Sequence, residues 1–180
     1  DIRKEAYTFE GLSGGNAYNG IKKLFGRPGQ TNGEVDYKIF RAAEVYLNKA
    51  EAHFNLGNES SARSALSELR TRRYLNPPNG ESGVDLRDAI RSERRLEFAF
   101  ENVRWYDMLR YNTTMPSLDA VATIKANFSA MWTIHYSKYP SPPTLATIQG
   151  YVTKDKLLLP IPQREIDNNT KLVIPQNPGY

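Results

Sequence analysis

Apolar side chains recur every three to four residues through the middle of the chain, and this spacing places them on one helix face. The pattern is strongest over residues 37–57, where a polar stripe runs beside the apolar one. The apolar stripe consists of Ile39, Ala43, Tyr46, Ala50 and Phe54, and the polar stripe of Arg41, Glu44, Asn48 and Glu51. Gly57 follows, and glycine readily adopts the left-handed conformation that ends a helix. We predict an amphipathic helix that stops at this glycine.

Further helices are predicted beyond Gly57. They cover residues 58–74, 86–101, 103–112 and, more weakly, 117–130. Asn58 is a good N-cap, and its short link to the first helix requires the two helices to pack antiparallel. The small-residue spacing of this pair is typical of tetratricopeptide-like hairpins. Asp85 is the predicted cap of the third helix, and Asn102 can take the left-handed conformation at its end.

The two ends of the chain have no comparable period. Residues 1–36 are rich in Gly, Asn and Tyr and predict loops and short strands. Residues 131–180 predict an aromatic, proline-rich loop and an extended tail, with one helical turn beginning at Pro162. The predicted fold class is therefore mostly α, with helix hairpins over residues 37–130, irregular loops and an extended C-terminal tail.

Composition excludes several kinds of site. The chain has no cysteine, so disulfides and thiolate chemistry are absent, and its two histidines lack metal-ligand spacing. The net charge is +4, but carboxylates and hydroxyls interrupt the basic runs, which argues against nucleic-acid binding. No apolar run has the length of a membrane span, and no nucleotide or nucleophile motif occurs. We expect no cofactor.

Three glutamates of the third predicted helix, Glu93, Glu97 and Glu101, lie four residues apart and share a face with arginines. A glycosidase needs two carboxyl groups facing each other across a cleft, which one helix face does not supply. A structural ion-pair network is the preferred interpretation, because a buried carboxylate is costly unless it is paired. The predicted network comprises Arg41, Glu44, Glu93, Arg94, Glu97 and Arg104.

Several motifs along the chain together resemble the SusD/RagB family. They are Asp1-Ile2-Arg3, the helix segment from Arg41 to Ala52, the segments Glu93–Glu101 and Arg104–Arg110, Leu159-Pro160-Ile161-Pro162 with Glu165-Ile166, and the closing Gln176-Asn177-Pro178-Gly179-Tyr180. Their order and spacing agree with the family. The resemblance implies that residues 1–180 are the C-terminal portion of a single SusD-like domain, an α-α superhelix of tetratricopeptide-like hairpins.

The resemblance also implies a function and a location. Family members are surface-exposed lipoproteins of the outer membrane, held by an N-terminal lipid anchor that this chain lacks, and they serve a SusC-like TonB-dependent transporter. The expected function is therefore non-catalytic binding of oligosaccharide and its delivery to that transporter. A scaffold segment that only docks on the transporter, and capture of peptides rather than glycans, remain alternatives.

Aromatic residues in the predicted loop are the candidate glycan contacts. Trp132, Tyr136 and Tyr139 lie close together in the sequence, and Tyr18 beside the Gly14-Gly15 tip is a weaker candidate. Aromatic rings offer a large, rigid apolar face with a polar edge, which suits stacking on a sugar ring. The alternative is that these rings fold back onto the helices as packing.

Overall fold

The computed structural model describes residues 2–23, 38–115, 119–136, 139–169 and 171–180. Helices dominate these residues, which confirms the predicted mostly helical fold class. The chain divides into two compact units, Asp1–Arg104 and Trp105–Tyr180. The assignment of residues 1–180 to a single domain stays a prediction.

The first unit opens with a short helix and a hairpin. Helix α1 (Arg3–Tyr7) leads into strand β1 (Thr8–Ser13), which pairs antiparallel with β2 (Asn16–Ile21). The predicted loops and short strands of residues 1–36 thus include a helix that was missed, and residues 24–36 lie outside the described residues.

Two glycines of the hairpin are covered by aromatic rings of the opposite strand. Gly11 is paired with Tyr18, and Gly20 with Phe9. A Cβ atom on Gly11 would lie 2.6 Å from the Tyr18 ring, and one on Gly20 would lie 2.3 Å from the Phe9 ring. These positions therefore require glycine because a ring lies directly against the backbone.

Three helices form the core of the first unit: α2 (Ala42–Asn55), α3 (Glu59–Thr71) and α4 (Gly83–Glu97). Gly57 separates α2 from α3 at φ 77°, as predicted. The buried apolar residues are Ala43, Leu47, Ala50, Ala62, Ala65, Leu66, Leu69, Leu86, Ile90 and Phe98. They come from all three helices and the residue that follows α4.

The predicted apolar stripe of α2 is partly wrong. Ile39 precedes the helix and is 73% exposed, whereas Leu47 is fully buried. A period of 3.6 residues allows either the third or the fourth residue after Ala43 to share its face. Here the fourth, Leu47, points into the core, and Tyr46 packs only at its margin.

Helix α4 starts and ends earlier than predicted. Its N-cap is Ser82 rather than Asp85, which instead lies in the first turn, where a negative charge suits the helix dipole. The helix ends at Glu97, and Phe100 and Asn102 then adopt φ values of 67° and 60°. The left-handed Phe100 prevents the helix from continuing to the predicted end at residue 101, and Asn102 takes the left-handed conformation that was predicted for it.

The second unit begins with α5 (Arg104–Thr114), whose first residue is the last of the first unit. It continues with α6 (Ala120–Met131), a π-helix (Trp132–Tyr136), α7 (Leu145–Tyr151), a 3₁₀ turn (Asp155–Leu157) and α8 (Gln163–Asn168). The predicted loop at the start of residues 131–180 is therefore wrong where the π-helix and α7 lie. The π-helix continues α6 directly, and α7 has its own N-cap, because the Thr144 side chain accepts a hydrogen bond from the Thr147 amide.

The C-terminal tail is held to the segment before α8 by side chains rather than by a strand ladder. The Gln176 side chain accepts from the Ile161 amide at 2.7 Å and donates to its carbonyl at 2.9 Å. Asn177 donates to the Leu159 carbonyl at 2.7 Å, and the Tyr180 hydroxyl donates to the Leu158 carbonyl at 3.2 Å. The side-chain amide of Gln176 therefore supplies Ile161 with the two backbone hydrogen bonds that a neighbouring strand would otherwise provide.

Within the described parts of the chain, no helix combines the length and the apolar character that a bilayer crossing would need.

Candidate functional site

A cluster of buried carboxylates lies along α4 of the first unit. Glu93 is only 2% exposed, and each of its carboxylate oxygens accepts a hydrogen bond from a different guanidinium group. Arg3 from α1 donates to Glu93 Oε1 at 2.6 Å, and Arg70 from α3 donates to Oε2 at 2.9 Å. The ion pair thus joins three elements, including one from the start of the chain.

The next turn of α4 repeats this arrangement with more partners. Glu97 is fully buried and accepts from Arg73 at 2.7 Å and from Arg3 at 3.3 Å, with Arg41 as a third donor. Glu101 accepts two hydrogen bonds from Arg41, at 2.7 Å and 3.0 Å, and pairs with Lys23. Paired and hydrogen-bonded in this way, these carboxylates can be buried.

The C-terminal end of α4 is also covered by cations. Lys23 donates to the carbonyl oxygens of Glu97 and Ala99 at 2.6 Å and 3.0 Å, and Arg41 donates to that of Glu97 at 2.7 Å. The last carbonyls of a helix lack internal partners and carry partial negative charge, so cations stabilise them. The cations that pair with the carboxylates therefore also stabilise the C-terminal end of α4.

The predicted network overlaps this cluster only in part. Arg41, Glu93 and Glu97 lie in it, and two further predicted members, Arg94 and Glu44, pair with each other at 3.3 Å. Arg104 lies half-buried at the start of α5. Sequence reasoning missed four cations: Arg3, Lys23, Arg70 and Arg73. Up to 94 positions separate them from their partners, so no helical spacing could have paired them.

These contacts determine the charge of the carboxylates. Burial alone would raise the pKa of Glu97, but hydrogen bonds from Arg73 and Arg41 and their positive charges outweigh it and lower that pKa to about 2. Burial would likewise raise the pKa of Glu101, but the hydrogen bonds and positive charges of Arg41 and Lys23 outweigh it and lower that pKa. A glycosidase needs a general acid with a raised pKa, so this cluster suits structure rather than acid catalysis.

The lowered pKa of Glu97 predicts a specific loss of stability in acid. A depressed carboxyl pKa stabilises the fold above the unfolded value of 4.5, and this contribution is lost as the pH falls through about 2. Glu97→Gln removes the charge at every pH. The difference in unfolding free energy between wild type and Glu97→Gln should therefore shrink by about 3 kcal/mol between pH 6 and pH 2. Urea titrations at each pH measure it, and a difference that stays constant with pH would contradict the assignment.

In the second unit, two of the predicted ligand residues lie face to face. The Trp132 and Tyr136 rings are stacked, with centroids 5.5 Å apart and planes 13° apart. Tyr136 is also 6.1 Å from the Phe128 ring at the end of α6. The π-helix makes this possible by continuing the path of α6, and such helices are frequent at functional sites. Both rings of the pair remain partly exposed.

A cleft of about 390 Å³ opens beside this pair. Its lining comes from α5, α6 and the π-helix and is mostly apolar. The lining residues are Trp105, Met108, Ile124, Asn127, Phe128, Met131, His135 and Tyr136. Trp105 is half-buried and lines this cleft. Because Tyr136 belongs to both the stack and the lining, the two features form one candidate site.

The other two predicted ligand residues are placed differently. Tyr139 is 63% exposed and follows the π-helix, where its amide donates to the Tyr136 carbonyl at 3.2 Å. Tyr18 belongs to β2 in the first unit, and its ring covers Gly11 and meets Phe9 edge-on at 6.0 Å. The hairpin contact gives Tyr18 a packing role that the sequence did not indicate.

Among the residues that the structure describes, no group of three or more His, Cys, Asp or Glu side chains is arranged so that it could hold a metal ion.

Comparison with known proteins identifies the family. The model of the SusD family matches residues 14–180, nearly the whole chain. The chain belongs to the SusD family. The match covers both the predicted helix hairpins and the C-terminal tail. No solved structure matches the chain.

Individual relatives agree with the family assignment. The chain is 31% identical to SusD-like protein P2 of Formosa agariphila over 183 residues, covering 97% of the chain and 29% of that protein. It is 34% identical to a SusD-like protein of Bacteroides ovatus over 131 residues, covering 64% of the chain and 22% of that protein. The chain thus spans less than a third of the length of these relatives.

Proposed function

We propose that this chain contributes to glycan binding without catalysis, as part of a SusD-like protein that passes oligosaccharide to a SusC-like TonB-dependent transporter. The observation that carries the proposal is the stacked pair of Trp132 and Tyr136 beside the cleft. Stacking holds each ring rigidly, and the exposed part of such a ring offers a flat surface that matches the apolar face of a pyranose. SusD family membership supports the same class of ligand.

The expected location follows from the same family. SusD-like proteins are in general non-catalytic lipoproteins of the outer membrane, and we propose a surface-exposed position there for the protein to which this chain belongs. The lipid anchor of such a protein would be at its N-terminus.

The fixed positions of the Trp132 and Tyr136 rings favour glycan binding at the proposed site. The two rings are fixed by α6 and by the π-helix, so little side-chain entropy is lost when a sugar ring stacks on them. Exposed Tyr139 would extend the surface to a second sugar unit.

A panel of neutral oligosaccharides tests the proposal. The chain should retain at least one member of the panel, and Trp132→Ala should lose that retention. Tyr151→Ala is the matched control, because Tyr151 is a 73% exposed aromatic residue of the same unit outside the cleft. No release of reducing sugar is expected from the bound glycan. Absence of any glycan binding, or equal binding by Trp132→Ala, would contradict the proposal.

A docking scaffold is the second candidate, and exposed apolar residues of the first unit favour it. Ile39 and Phe40 immediately precede α2 and are 73% and 82% exposed. Neighbouring exposed apolar side chains of this size are typical of protein contacts. In that case Phe40→Ser would weaken capture of the transporter, whereas Trp132→Ala would leave it unchanged.

A further inference from the structure

The cleft beside Trp132 and Tyr136 has a composition that a sugar ring alone does not explain. Six of its eight lining side chains are apolar or aromatic, and none is Asp, Glu, Lys or Arg. Its volume of about 390 Å³ lies in the usual range of small-ligand sites, about 300–1,000 Å³. Only Asn127 and His135 bring purely polar groups to it. The cleft therefore suits a neutral, largely apolar group.

Helical spacing explains why the lining is so uniform. Trp105 and Met108 lie three residues apart on α5, and Ile124, Phe128 and Met131 follow each other at intervals of four and three on α6. Residues at these intervals share one helix face. The cleft is thus formed where apolar stripes of two helices contribute to one concave surface.

A sugar ring placed in this cleft would leave most of its hydroxyl groups without hydrogen-bond partners. A pyranose carries a hydroxyl on most of its carbons, and a hydroxyl removed from water without a partner is costly. Asn127 and His135 could satisfy only a few of them. The sugar is better placed on the partly exposed rings of Trp132 and Tyr136, where its hydroxyls keep their water.

An aromatic group fits the cleft well. Thioethers contact aromatic rings favourably, and Met108 and Met131 both line the cleft together with three aromatic side chains. An apolar cavity of about 150 Å³ is known to hold benzene. The cleft therefore has room for one ring and a short linker, and Asn127 and His135 can bond the carbonyl or hydroxyl of that linker.

We propose that the cleft is a subsite for an aromatic substituent, joined by an ester or ether bond to the glycan that stacks on Trp132. This inference rests on the proposed function, because the substituent would be carried by the glycan whose binding that function assumes. The ligand class becomes an aryl-substituted glycan rather than a fully hydroxylated one.

The three methionines of the chain provide a direct readout. Met108 and Met131 line the cleft, whereas Met115 is 3% exposed and outside the lining. In the chain labelled with ¹³C at the methionine methyl groups, phenyl β-D-glucopyranoside should shift the Met108 and Met131 signals upfield and leave Met115 unmoved. Methyl β-D-glucopyranoside should shift neither of them. The phenyl glycoside should also bind about tenfold more tightly than the methyl glycoside.

A matched pair of variants locates the effect. Asn127 and Ala126 are exposed neighbours on α6, and only Asn127 lines the cleft. Asn127→Trp should fill the mouth of the cleft and remove the preference for the phenyl glycoside, whereas Ala126→Trp should keep it. Equal methionine shifts from both glycosides, or no shift from the phenyl glycoside, would overturn the subsite.

The two proposals fail in different ways. If an unsubstituted oligosaccharide binds but phenyl and methyl glycosides bind equally, the aromatic subsite is wrong and glycan binding stands. If the phenyl glycoside shifts Met108 and Met131 while no oligosaccharide of the panel binds, glycan binding is wrong and the apolar site is supported.

Discussion

Replacing Glu97 with alanine is expected to lower the free energy of unfolding by about 3–5 kcal/mol. Glu97 is fully buried and is the common acceptor for Arg3, Arg41 and Arg73. Its removal would leave those guanidinium groups facing one another without the central negative charge. Chemical denaturation at pH 7 measures the loss.

An exposed glutamate is the matched control for this change. Glu68 on α3 is 44% exposed and pairs with Arg72 at 3.6 Å, one helical turn away. Surface pairs of this kind contribute about 0–1 kcal/mol, so Glu68→Ala should cost no more than that. Equal losses for Glu97→Ala and Glu68→Ala would show that the buried cluster does not stabilise the first unit.

Replacing Leu47 with alanine is expected to cost about 2–5 kcal/mol of unfolding free energy. Leu47 is fully buried on α2, in the core that α2 shares with α3 and α4. Removing its side-chain carbons forfeits their transfer free energy and leaves a cavity among neighbours that relax only in part. Thermal and urea unfolding should both report the change.

The same helix ends with a leucine that serves as the control. Leu56 is the C-cap residue of α2 and is 74% exposed. Leu56→Ala should change the unfolding free energy by no more than about 0.5 kcal/mol. If Leu47→Ala were as mild as Leu56→Ala, Leu47 would not lie in the core.

The helices of the first unit could be predicted because their signals are local. The spacing of Ala43 and Ala50 and the glycine at position 57 are enough to predict α2 and its end. The early end of α4 could not be predicted, since it depends on Phe100 taking a left-handed conformation that is uncommon for a phenylalanine. Cations from distant elements gather at that point and stabilise the broken helix end.

The aromatic site was only partly predictable. Trp132 and Tyr136 are four residues apart, which would place them on one side of a helix, but the prolines that follow favoured a loop. The cleft could not be read from the sequence, because it depends on how α5 and α6 together present Trp105, Met108 and Phe128. Each of those residues alone has the spacing of ordinary core packing.

The two units therefore differ in character. Buried charge pairs and a leucine-rich core fix the helices of the first unit, so changes there should affect stability. The second unit carries the partly exposed rings and the cleft, so changes at Trp132 or Asn127 should affect binding with little loss of stability.

Calorimetric titration with the best-bound oligosaccharide of the panel tests the central claim most directly. Wild type and Tyr151→Ala should bind it with equal affinity, and Trp132→Ala should bind at least about tenfold more weakly, since it removes one of the two stacked rings. The melting temperature of each variant, measured on the same samples, separates lost binding from lost folding. A folded Trp132→Ala protein that binds as tightly as wild type would contradict the account.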